Sequence, residues 1–87
     1  MKHFLKIYQT HFDDIIENYK RVEFRDETTR GFNIGDTLAL RVFDCDKKKI
    51  TGESCEVTIT FIHRGIGLMY GYAALCISEP RNHHQEL

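Results

Sequence analysis

The chain has 87 residues, 41% hydrophobic and 29% charged, with a formal net charge of −1; this leaves room for one small core and excludes a second folded unit, an intrinsically disordered chain and a long basic track for duplex nucleic acid. Basic and acidic residues also balance locally, six of each in 1–30 and five of each in 31–64, so any contact with nucleic acid has to be local, or aimed at bases and sugars more than at phosphate. No apolar run reaches the length of a membrane span or a secretory leader, and Cys45, Cys55 and Cys76 are too widely spaced for a CxxC pair and odd in number, so the expectation is a cytoplasmic chain with reduced thiols and no cofactor.

Taken from the start, "HFLKIY" alternates, with Leu5 and Ile7 opposite Phe4, Lys6 and Tyr8, and reads as a first strand. The period then changes. Phe12, Ile15, Ile16 and Tyr19 form one apolar stripe, and Thr10 stands three residues before Asp13 as a start signal, so a helix of about ten residues is predicted. A short strand follows at Arg21–Arg25, where charged and apolar side chains alternate. It is either a half-buried strand, with Val22 and Phe24 inward and Arg21, Glu23 and Arg25 in water, or one wall of a pocket.

A polar loop then closes on Gly35-Asp36 and launches "TLALRVFD", where Leu38, Leu40 and Val42 share a face. The turn-like "DCDKKKITG" leads into a long β-branched strand, "SCEVTITFIH", with Cys55, Val57, Ile59, Phe61 and His63 expected together. These two strands should form a hairpin. The glycines of "RGIGLMYG" turn the chain into a last strand, "YAALCIS", and residues 81–87 read as a flexible tail behind a single domain, 1–80. Five short strands and one helix in so small a chain predict an α+β fold, a compact and partly closed sheet with the helix plugging one opening.

The run "NYKRVEFRDETTRGFNIGDTLAL" resembles the signature of the ASCH (activating-signal-cointegrator homology) domains of the PUA-like superfamily: a helix, a Gly-x-Lys-x-x-Glu-x-Arg strand, a variable loop, and Gly-Asp opening the next strand. Lys20, Glu23 and Arg25 match the motif's Lys, Glu and Arg, and Gly35-Asp36 its Gly-Asp. Asn18 stands where glycine is usual, a mild departure because asparagine also tolerates a left-handed helix end. Arg21 replaces a commoner threonine. Thr51-Gly52, "VTITFI" and "GLMYGYAALCI" are similar to a small bacterial and phage branch, so the likeness covers about His3 to Ser78.

The resemblance implies a pseudo-β-barrel of five to six strands with one helix after the first strand, and a cleft between barrel and helix that in relatives binds RNA or nucleotide-like groups. One small bacterial relative is an amidohydrolase of acetylated cytidine that uses a lysine, a threonine and a distant glutamate. Lys20 matches that lysine, but Glu23 occupies the threonine position and the glutamate's segment is missing. That reaction is therefore not expected intact.

The candidate ligand- or RNA-binding residues are Lys20, Arg21, Glu23, Arg25, Arg30 and Phe32. Lys20 and Arg25 would receive a phosphate or base carbonyl, Glu23 would orient them or accept from an exocyclic amine, and Arg30 and Phe32 would cover the pocket, Phe32 by stacking or else by anchoring its loop. The competing reading of Lys20, Glu23 and Arg25 is a solvated face with cross-strand ion pairs. No metal is expected: Asp44 and Asp46 lack the remaining calcium-loop ligands, and His11, His63, His83 and His84 have no ligand spacing. Three functions follow in order: an RNA- or nucleotide-binding module; a hydrolase of modified nucleosides or RNA, of amidohydrolase or ribonuclease type, using Lys20 and Glu23; and a mobile-element accessory protein acting through protein contacts.

Overall fold

In the computed structural model, which describes residues 1–85, the elements follow the order β1 (Lys2–Ile7), α1 (Gln9–Ile16), β2 (Val22–Asp26), β3 (Thr37–Asp44), β4 (Lys49–Arg64), β5 (Tyr72–Ile77) and β6 (Arg81–His84). The sheet order is β1-β3-β4-β5-β2, with β6 also paired to β4. β1 runs parallel to β3 and the other pairs are antiparallel. This is an α+β fold, a mixed six-stranded sheet with one short helix.

Alternation along the strands makes the core. Leu38, Leu40 and Val42 of β3, Cys55, Val57 and Ile59 of β4, and Leu75 and Ile77 of β5 are all buried, and α1 adds Phe12 and Ile15 over β3. Each such side chain contributes roughly 1.5–3 kcal/mol on leaving water. The helix has eight residues and starts with Tyr8 at its N-cap, without a side-chain cap; Asp13 instead accepts from Gln9 Nε2 at 2.9 Å, one turn back. The Thr10–Asp13 start signal is thus not used. At the other end Asn18 takes φ 70°, the left-handed conformation expected of it. The N–H groups of Tyr19 and Lys20 both bond to the Asp14 carbonyl, at 2.8 and 3.1 Å. This reversal leaves Tyr19 exposed and returns Lys20 toward β2.

Two expectations fail for non-local reasons. Phe61 and His63 do not join Cys55, Val57 and Ile59, because the β4–β5 register shifts between Ile59 and Phe61. One extra residue inverts the alternation, so Phe61 and His63 face solvent and Ile62 packs on the core. The tail expected to be flexible from residue 81 instead forms β6 over Arg81–His84, antiparallel to β4 at Ser54 and Glu56. It continues the edge occupied by β5, after the interruption at Pro80, which has no N–H to donate. The part of that tail at residues 86–87 lies outside the described residues.

The sheet does not close into the barrel that the resemblance implies, because β1 and β2 end the strand path. Side chains bridge the two ends instead. The Met1 carbonyl bonds to Thr37 N–H on β3, so by alternation the carbonyls of Phe4 and Lys6 face away from β3. Arg25 Nη2 of β2 donates to the Lys6 carbonyl at 3.0 Å, and Arg30 Nη1 donates to the Phe4 carbonyl at 3.3 Å.

Candidate functional site

The register of β2 decides which of its side chains meet the interior. Glu23 pairs with Leu75 and Arg25 with Ala73, both buried, whereas Phe24 pairs with Ala74 on the opposite face. Glu23 is therefore only 4% exposed and Phe24 is 54% exposed, the inverse of an ordinary half-buried strand. An unpaired buried carboxylate would cost several kcal/mol. Here it has two cations: Lys20 Nζ lies 2.8 Å from Glu23 Oε1, and Arg25 Nη2 and Nε lie 2.9 and 3.0 Å from Oε2.

The helix end completes the constellation. Lys20 Nζ also donates to His11 Nδ1 at 3.2 Å, which makes Nδ1 the acceptor and places the ring proton on Nε2. His11, Lys20, Glu23, Arg25 and the Lys6 carbonyl thus form one continuous hydrogen-bonded chain from α1 across β2 to β1. It borders a cleft of about 560 Å³. Ile7 lies in the lining, and Tyr8 and Phe43 supply aromatic surface. This combination of an apolar lining with a few convergent polar groups suits a small-molecule site.

Of the residues singled out in the sequence, Lys20, Glu23 and Arg25 come together at this cleft, and the other three do not. Arg21 reaches away to Glu79 Oε1 at 3.4 Å. Phe32 is 3% exposed, part of the core and tilted against His3 at 4.7 Å between ring centroids, so it offers no stacking face. Its loop is held by Arg64 of β4, whose Nε and Nη2 donate to Glu27 at 2.7 and 3.0 Å and whose Nη2 also donates to the Phe32 carbonyl at 3.1 Å. The Arg64 hydrogen bond lowers the Glu27 pKa, and the same bond raises that of Arg64. Arg30 is exposed and lines a second recess of about 500 Å³ with Lys2, His3 and Phe4.

Sequence reasoning missed Tyr8, His11 and Phe43 as cleft residues. Tyr8 and His11 flank the strand-to-helix junction, and only the return of Lys20 at the left-handed Asn18 brings them opposite β2. The motif's Gly35-Asp36 lies elsewhere. Gly35 takes φ 94° in the turn before β3, and the buried Asp36 accepts from His3 Nε2 at 2.8 Å, Asn33 N–H at 3.0 Å and the terminal ammonium at 3.1 Å. The His3 hydrogen bond, helped by those from Asn33 and the ammonium, lowers its pKa to about 2. Asp36 therefore ties β1 to the β3 turn.

Thiol chemistry has little support at the core: burial, reinforced by the Glu56 charge, pushes Cys55 up to about 11, so its thiol stays protonated at neutral pH. No group of three potential ligands is placed to hold a metal among the described residues, and no helix among them is long and apolar enough to cross a membrane.

Over residues 2–77 the chain matches the family described as Domain of unknown function (DUF3850), and it belongs to that family. No curated protein matches it.

Proposed function

We propose that this DUF3850 chain binds a nucleobase-bearing ligand, free or within RNA, in the cleft between α1 and β2, and that it is an open relative of the PUA-like pseudo-barrel of the ASCH type. The observation that carries the reading is the inward Glu23 carboxylate, held between Lys20 and Arg25 at a cleft with aromatic lining. A nucleobase presents carbonyl acceptors, ring N–H or exocyclic amine donors, and two π faces. Lysine and guanidinium donors match the first, a carboxylate the second, and Tyr8 or Phe43 the third. The seam between β1 and β2, spanned by Arg25 and Arg30, is what supports the pseudo-barrel kinship.

The test is a titration of ¹⁵N-labelled protein with the four ribonucleosides and ribonucleotides. Saturable shifts at His11, Lys20, Glu23 and Arg25 are expected for at least one of them. Unchanged spectra at millimolar ligand overturn the reading.

A hydrolase of modified nucleosides or RNA is the second reading, favoured by the chain of contacts His11–Lys20–Glu23, which sets three groups that can exchange protons along the cleft. Acetylcytidine or RNA turnover that disappears in Lys20→Ala would put it first. The binding reading expects no turnover.

A further inference from the structure

The outward face of β1 and β3 links the cleft to the second recess. In the β1–β3 register Phe4 lies beside Ala39 and Lys6 beside Arg41, so Lys2, Phe4 and Lys6 share a face with Ala39, Arg41 and Phe43. Cations and rings alternate there: the Arg41 guanidinium lies 4.8 Å from the Phe4 ring centroid, Lys6 Nζ 4.8 Å from that of Phe43, and Lys2 Nζ 5.9 Å from that of Phe4. These are cation–π distances. Lys6 and Phe43 also line the cleft, and Lys2 and Phe4 line the second recess beside Arg30.

The charges on this face are unbalanced although the chain as a whole is not. Lys2 is matched by Glu56 at 2.7 Å, but none of the ion pairs among the described residues involves Lys6, Arg30 or Arg41. All three are exposed, and Phe4 keeps 55% of its surface in water. Unmatched cations around an open aromatic ring, that of Phe4, fit a ligand with regularly spaced negative charge and flat groups between the charges. From Lys6 to Lys2 the strand advances about 13 Å, a span that takes several linked nucleotides and that a mononucleotide cannot cover.

We infer that the ligand of this protein is a single-stranded polynucleotide, with one nucleotide in the cleft and its neighbours running across Lys6, Arg41 and Phe4 to the recess at Arg30. The inference rests on the proposed cleft reading and extends it from a mononucleotide to a strand. The backbone phosphates lie against the three unmatched cations, and a base stacks on Phe4.

The test compares fluorescence anisotropy of labelled hexanucleotide pools of mixed sequence, ribo- and deoxyribo-, with competition by mononucleotides and by dimers and tetramers from the same pools. Affinity is expected to rise at least tenfold from monomer to tetramer, with a slope of log K on log salt of about −2, as three cations on a single strand give. Arg30→Gln and Arg41→Gln, folded by circular dichroism, should each weaken the hexamer roughly three- to tenfold and flatten that slope by about 0.7, leaving mononucleotide shifts at Lys20 and Glu23 unchanged. Mononucleotide binding without any gain from length overturns the strand inference and leaves the cleft reading standing. So does hexamer binding indifferent to both arginine substitutions. No binding by monomer or hexamer overturns both. A preference between the ribo- and deoxyribo- arms decides which kind of strand is bound, and either supports the inference.

Discussion

Glu23 and Asp36 are two buried carboxylates on the two halves of one sequence motif, and the structure treats them differently. Asp36 is held by a ring nitrogen, a backbone N–H and the terminal ammonium, and its contacts tie the start of β1 to the turn before β3. Both partners of Glu23 are long cationic side chains, and all three residues border a cavity. A carboxylate fixed by backbone and ring serves the fold. One fixed by side chains that can exchange partners is available to a ligand.

The largest expected effect breaks the fold side of this comparison. Asp36→Ala strands His3 and the Asn33 N–H, and thermal unfolding followed by circular dichroism should show Tm lowered by roughly 10 °C or more. An unchanged Tm would mean that the knot is decorative. Next comes the ligand side: Glu23→Gln should lower affinity for any nucleotide that shifts the wild-type spectrum by about tenfold or more, the loss of a charge-assisted hydrogen bond, read by the same titration. If Tm falls further in Glu23→Gln than in Asp36→Ala, the assignment of roles is reversed.

Acid offers a third test, on the Asp36 side. Asp36 titrates below its ordinary value of 3.8, at about 2, so the unfolded chain binds that proton more readily than the folded one. Its contribution is complete above about pH 4 and is lost as pH falls toward 2. The Tm gap between wild type and Asp36→Asn should therefore narrow across that window, and a gap constant from pH 5 to pH 2 would contradict the assignment. The smallest effect belongs to the loop clamp. Arg64→Ala removes a half-exposed guanidinium from Glu27 and should cost on the order of 0.5–1 kcal/mol in urea denaturation, with faster amide exchange confined to the loop from Glu27 to Phe32.

Most of the framework was legible because it is local. The period-two run through Leu38, Leu40 and Val42 and the helical spacing of Phe12 and Ile15 each fix a buried face by themselves, whereas the left-handed turn at Asn18 was legible through the resemblance, at the position where the motif has glycine. What escaped depends on partners distant in the chain. The register shift after Ile59 changes the side of Phe61 without leaving a mark in its own residues. β6 exists because β4 is long enough to offer another stretch of edge beyond β5, and Phe32 goes inward onto a core built by distant strands, in a loop tied to Arg64, 32 residues away. The triad of Lys20, Glu23 and Arg25 was visible only through the family likeness. Alternation alone left its direction open, and the inward choice is set by pairing with β5. His11 could not be read at all, since its role arises from the path of Lys20 around the helix end.

The two arginines that span the seam have a consequence for self-association. A terminal strand with a free row of carbonyls is a template on which another chain can add a strand. On β1 the carbonyls of Phe4 and Lys6 are already occupied by Arg30 and Arg25, so the guanidinium groups act as stoppers against fibrillar stacking as well as bridges across the gap.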